Sequence, residues 1–296
     1  MHYPESSGRK KPHGMASLKC ALMIVSLFTA ASTLAKETQI IGVDGHTLTL
    51  KTKTWSRPVA ESATALFTGK DKAFSLYVTD VGVDTDDGWL SPDKKTLLVS
   101  QAIYGSVVGQ DGEVIPTERA RCDVISMETG CVLLQRAARY CAGKWVGNSW
   151  TSDDGEVLSP TMETPSPKEL LKLVSNIEPV QSRAEAIEWS LSSISPDAYM
   201  ACHPPARNIQ GFNDLAFYFA EGGNDALALE FYRGIETVGK RVVLMLNMAD
   251  SLWRMNRKDE ALRYYREYGE AMNVAGKAQM IPQRAMERSV IQGMRK

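Results

Sequence analysis

Acid–base and metal chemistry leave recognisable residues, and this chain carries few of them. Of its four histidines only His46 and His203 lie beyond the first 35 residues. That is too few for a histidine-rich metal site, and no zinc-protease helix motif occurs. Asp84, Asp86 and Asp87 ahead of Gly88 look like the start of a calcium loop. Counted from Asp84, however, position 5 is Gly88 and position 12 is Lys95, where an EF-hand loop needs an oxygen ligand and a glutamate. Asp153 and Asp154 before Gly155 are turn residues. There is no nucleophile elbow and no phosphate-cradling glycine loop. Paired carboxylates are inevitable in a chain with 35 Asp and Glu and carry no weight. No catalytic residue, no metal site and no cofactor is therefore expected, and the chain reads as a non-enzyme.

Two residue types remain. Trp89, Trp145 and Trp150 could offer ring faces to a sugar or peptide, although tryptophans in a small sheet more often fill its core. Cys122, Cys131, Cys141 and Cys202 form an even set beyond the N-terminal segment, which in an oxidising compartment suggests disulfides with three possible connectivities. Pairing within the clustered three, with the remaining one joined to Cys202, would tie the first half of the chain to the second.

The compartment is read from the N-terminus. Arg9, Lys10, Lys11 and Lys19 precede an apolar run from Cys20 to Ala31, and Thr33-Leu34-Ala35 supplies small residues for cleavage. Residues 1–35 are expected to be a secretory signal, with Met1 or Met15 as the start. The apolar run is shorter than the ~20 residues that span a bilayer, and no later stretch is long and apolar enough, so no membrane insertion follows cleavage. The expected location is periplasmic. Removing four Lys/Arg and one Glu leaves 30 basic against 34 acidic residues, a net charge of −4, which argues against nucleic acid as a partner.

Residues 36–160 read as an antiparallel β domain. Short β-rich runs at 73–79, 96–103, 121–127 and 131–136 alternate with turns at Asp111-Gly112, Thr129-Gly130 and Asp154-Gly155. Asp44-Gly45 between two alternating segments suits a type I′ hairpin turn. "LSPDKKTLLVSQ" resembles the grammar of a propeller blade, yet the region is too short for the four blades of about 40 residues that close a propeller. A small twisted sheet or sandwich is expected, with its open edge covered by the helical half.

Residues 161–208 read as a linker and two lead-in helices. Ser166-Pro167-Lys168-Glu169 is a capping box with proline at the first helical position. Leu170, Leu171 and Val174 form the apolar face of the first helix. Ser182 to Glu185 repeats the capping pattern and should open a second helix carrying Ala184, Ile187, Trp189 and Leu191. "HPPAR" at 203–207 breaks the chain.

Residues 209–276 then write one helical hairpin twice. Leu215, Ala216, Phe219, Gly223, Ala228 and Tyr232 reappear 33 positions later as Met248, Ala249, Leu252, Asn256, Ala261 and Tyr265. "NMADSLWRMNRKDEALRYYREY" (247–268) resembles the tetratricopeptide repeat, and the resemblance covers about 70 of the 296 residues. The fold class is thus α+β: an N-terminal antiparallel β-sheet region followed by a tetratricopeptide-like α-helical solenoid. Residues 277–296 supply a capping helix from Pro282 and a basic tail of net charge +4. The resemblance implies a binding groove lined by the first helix of each hairpin, through Asn213, Phe217, Ala220, Glu221, Leu246, Asn247, Asp250, Trp253 and Arg254. Only Asn247 matches the pattern that clamps a C-terminal carboxylate, so the groove should be mixed polar and aromatic. It implies a protein partner and no chemistry. One concrete version is an immunity protein that sequesters a periplasmic toxin, and another is an adaptor for envelope complexes. The alternative is an envelope hydrolase or carbohydrate-binding module using the Trp145–Trp150 loop.

Overall fold

A computed structural model describes residues 37–54, 61–78, 82–84, 89–191, 194–239 and 241–290. The segment expected to be a secretory signal, Asp86, Asp87 and residues 291–296 lie outside them. Among the described residues eleven strands form three small antiparallel sheets. In the first, β1 (Glu37–Ile41), β2 (Thr47–Thr54), β3 (Glu61–Thr68) and β4 (Ala73–Ser75) follow in chain order. In the second, β5 (Gly82–Asp84), β6 (Thr96–Val108), β7 (Val114–Ser126) and β8 (Val132–Ala137) do the same. The third is a hairpin with a short edge: β9 (Gly143–Val146), β10 (Ser149–Ser152) and β11 (Val157–Leu158), with β10 central.

The glycine pairs mark the turns as anticipated. Asp44 (φ 54°) and Gly45 (φ 77°) both adopt positive φ, and the His46 N–H donates to Val43 O at 3.0 Å, closing the turn between β1 and β2. The sequence runs at 96–103 and 121–127 are parts of much longer strands, and 61–68 and the whole third sheet were not anticipated. The strands of the third sheet are only two to four residues long, and 61–68 (ESATALFT) mixes small and polar residues of weak strand preference, so only the pairing partner reveals them.

The period of two along β6 and β7 places the second sheet between two cores. Leu97, Val99 and Ile125 face the main core, whereas Leu98, Val124 and Leu134 face a smaller one shared with Trp150 and Leu158 of the third sheet. The main core continues without interruption from Leu48, Phe67 and Leu76 into the helices, where Tyr199, Phe212 and Phe231 pack ring against ring at 5.6–6.3 Å.

Among the described residues eight helices follow: α1 (Pro167–Leu173), α2 (Val180–Leu191), α3 (Pro196–Cys202), α4 (Pro205–Glu221), α5 (Asp225–Glu236), α6 (Val242–Arg254), α7 (Lys258–Val274) and α8 (Gln283–Val290). The fold is therefore α+β. The capping box of α1 forms, with Ser166 N–H donating to Glu169 Oε2 at 2.8 Å and Glu169 N–H to Ser166 Oγ at 3.4 Å. The second box does not open α2. The Pro179 carbonyl already accepts the Arg183 N–H, so the first turn closes ahead of Ser182. Trp189 is 66% exposed instead of joining Ala184, Ile187 and Leu191 in the core, and the Arg119 guanidinium sits 4.0 Å above its ring. Three helices, not two, precede the hairpins. The extra one, α3, has Ser195 as N-cap and Pro196 at its first position, the same start signal as α1. The break at 203–207 is brief, since α4 begins at Pro205 and is kinked at Asn208.

The helical half covers part of the sheet edge. Ser195 N–H donates to Leu76 O at 2.8 Å, and Tyr77 and Ile194 form an isolated bridge, so the chain entering α3 extends the side of β4. No described helix is long and apolar enough to cross a membrane.

Candidate functional site

The two hairpins α4–α5 and α6–α7 match residue by residue. Leu215, Ala216, Phe219, Ala228 and Tyr232 are all fully buried, and so are Met248, Ala249, Leu252, Ala261 and Tyr265 at the corresponding places. Gly223 (φ 91°) and Asn256 (φ 61°) both take the left-handed conformation in the turn that joins the two helices of a hairpin. Gly222 beside the first of these turns lets the Ala184 methyl of α2 approach the backbone closely.

Polar contacts join α2, α4, α6 and α8 in succession. Arg183 donates to Tyr218 Oη (2.8 Å, 35 residues apart), and its guanidinium also stacks on that ring. Asn247 Nδ2 donates to Asn213 Oδ1 (3.2 Å, 34 apart), and Arg284 Nη2 donates to Asp250 Oδ2 (2.8 Å, 34 apart). Arg254 completes the set at 4.0 Å from Glu221, although its main partner is Asp225, which it grips through Nε and Nη2 at 2.7–3.0 Å. That bonding raises the Arg254 pKa further.

The sequence-derived binding residues meet different fates along this ladder. Asn213 is buried under its bond to Asn247. Phe217 stays open at 43% exposure, and Glu221 is exposed. Ala220 is buried and Leu246 is packed against the core. Asp250 faces inward, accepting from Tyr265 Oη (2.6 Å), Arg284 and Arg288 Nη1 (3.1 Å). Burial and the bond to Asp250 push the Tyr265 hydroxyl well above its usual range. Lys258 Nζ lies 3.6 Å and the Arg288 guanidinium 4.8 Å from the Trp253 ring centre, and Tyr265 meets that ring edge-on. Asp250 and Trp253 thus hold α8 in place, and the face that remains accessible centres on Phe217, Glu221 and Asn247. Arg284 and Arg288 were missed in the sequence; the 34-residue step from Asp250 to Arg284 was the available signal.

The cysteines pair as Cys122–Cys141 and Cys131–Cys202, with Cα atoms 5.3 and 4.7 Å apart. The second bridge is the anticipated tether: it joins the turn between β7 and β8 to the end of α3. Such bridges belong to an oxidising, extracytoplasmic compartment. Trp150 is 1% exposed and donates its indole N–H to Tyr140 O at 2.7 Å, with Trp145 packed edge-on across the strand pair. Trp89 is partly buried against both cores. Both histidines contact carbonyl oxygens at 3.0 Å, His46 at Met127 and His203 at Thr164.

One buried acid stands out. Asp123 is fully enclosed, accepts from Tyr77 Oη (2.8 Å) and Gln135 Nε2 (2.9 Å), and is pushed up to about 6 by burial against the opposing pull of those bonds. Among the described residues no group of three or more His, Cys, Asp or Glu is placed to hold a metal ion. No protein-family model matches the chain, and no curated protein matches it significantly.

Proposed function

We propose that the chain is exported to the periplasm and binds another protein through a tetratricopeptide-type array. That array would comprise two full hairpins, α4–α5 and α6–α7, preceded by the shorter α2–α3 pair and closed by α8. The ladder of contacts between α2, α4, α6 and α8 at spacings of 34–35 residues carries this reading. It supplies the neighbour contacts that two repeats alone lack. The role we favour is an immunity protein that sequesters a toxin delivered to the same compartment. The open face around Phe217, Glu221 and Asn247 is where the partner would lie, with Phe217 as the apolar anchor.

The test is capture of a partner from periplasmic extract by the exported protein and by a Phe217→Ala/Glu221→Ala variant, which leaves the Asn213–Asn247 contact in place. Loss of the partner in the variant is the expected result, and undiminished recovery overturns the assignment of this face. Asp250 and Trp253 are poor positions for the test, because changing them would release α8. A toxin that loses activity on adding the protein, and regains it with the variant, would establish the immunity role.

A further inference from the structure

We infer that the trough where α1, α4 and α6 meet receives an acidic segment of the partner protein with apolar residues between its carboxylates; this rests on the partner-binding reading above. Two adjoining cavities form the trough. One of about 300 Å³ is lined by Lys168 and Leu171 of α1 and by Arg207 and Asp214 of α4. The other, of about 170 Å³, is lined by Ile209 and by Arg241, Val242 and Val243 at the start of α6. Gln210 lines both, so they are neighbours along α4.

Charge identifies the occupant. Among the described residues Lys168, Arg207 and Arg241 have no ion-pair partner, whereas Arg254, Arg284 and Arg288 each rest on a carboxylate. The one acid in the wall, Asp214, accepts from Gln210 Nε2 at 2.8 Å. Arg207 lies in the first turn of α4 and Arg241 is the N-cap residue of α6. A helix N-terminus carries partial positive charge and favours an acid in its first turn. The companion helices have one: Asp225 in α5, and Asp259 and Glu260 in α7. In α4 and α6 the first turn holds no acid. Two arginines therefore add to two positive helix ends, an arrangement that an external carboxylate relieves. The walls between the cations are apolar, with Val243 59% exposed and Leu171 and Val242 partly buried. That alternation fits an extended peptide in which acids and aliphatic side chains follow one another.

Fluorescence anisotropy with a labelled, acetylated Asp-Leu-Asp-Leu-Asp-Leu peptide, and with its Lys-for-Asp counterpart, tests this on the full exported protein. The aspartate peptide should bind, weaken by about tenfold in Arg207→Glu and in Arg241→Glu, and weaken further with added salt. The lysine peptide should not bind. Arg207→Gln and Arg241→Gln, whose circular dichroism should match that of the parent, guard against a folding defect. Absence of binding, equal binding of both peptides, or indifference to the arginine variants overturns the inference. Those outcomes leave the broader reading intact if the Phe217→Ala/Glu221→Ala variant still loses the captured partner.

Discussion

The two halves of this molecule are held together by different means. In the helical half the same kind of contact recurs at a nearly constant step, as in Asn213–Asn247 and Asp250–Arg284, so each element is braced by the next. In the sheet half contacts join distant and unrelated positions, such as Tyr77 to Asp123 across 46 residues and His46 to Met127 across 81. Among the described residues the core behind the third sheet contains seven buried ones, and two of them are Cys122 and Cys141. One of the two bridges thus lies within the smallest core, as expected when a core is too small to repay chain entropy, and the other ties the sheet half to α3. The lesson is that a repeat stabilises itself locally, whereas small sheets need an external constraint.

The sharpest way to break this contrast is to remove the bridges one at a time. Cys131–Cys202 closes 71 residues and Cys122–Cys141 closes 19. Chain entropy assigns ~4 kcal/mol to the first and ~3 kcal/mol to the second. Thermal unfolding of the Cys131→Ser/Cys202→Ser protein should therefore fall further than that of Cys122→Ser/Cys141→Ser. If the order is reversed, the weak point is the small core and not the tether between halves.

The same contrast explains what could be read in the sequence. The hairpins α4–α5 and α6–α7 were legible because their burial repeats at 33 residues, and the turn at Asn256 because asparagine tolerates positive φ. The turns of the sheet half were legible for the same local reason. Its three-sheet arrangement was not, because Leu97 and Leu98 look alike in sequence and yet face different cores. The candidate face was legible in part: helix periodicity places Asp250 and Trp253 on the same stretch of α6 as Asn247, but it cannot show that Arg288 approaches both of them from α8. Long-range polar partners are set by tertiary packing and leave no mark on local pattern.

A second prediction concerns pH and the sheet half. The Asp123 carboxyl is raised from 3.8 to about 6 in the folded protein. A raised carboxyl binds its proton more tightly when folded, so its contribution is fully present below pH ~4 and is lost as pH rises to about 6. Denaturant titrations across this window should show stability falling by on the order of 2–3 kcal/mol from this group. The slope should disappear in Asp123→Asn. In Tyr77→Phe it should extend to higher pH, because the Tyr77 bond holds the Asp123 value down. A slope that persists in Asp123→Asn would assign the titration elsewhere.

The smallest effect tests whether the two hairpins are energetically equivalent. Gly223 and Asn256 occupy matched turns with φ of 91° and 61°. No heavy atom lies within 4 Å of a Cβ added at Gly223, so an alanine there meets only backbone strain. Gly223→Ala and Asn256→Ala should each cost ~1 kcal/mol, with the larger loss at Gly223 because asparagine already bears part of the left-handed penalty. Asn256→Gly should be nearly neutral, because freedom from that penalty is offset by the greater entropy of glycine in the unfolded chain. Equal and opposite responses at the two turns would show that the hairpins share a backbone but not a role, and that one of them tolerates opening more readily than its twin.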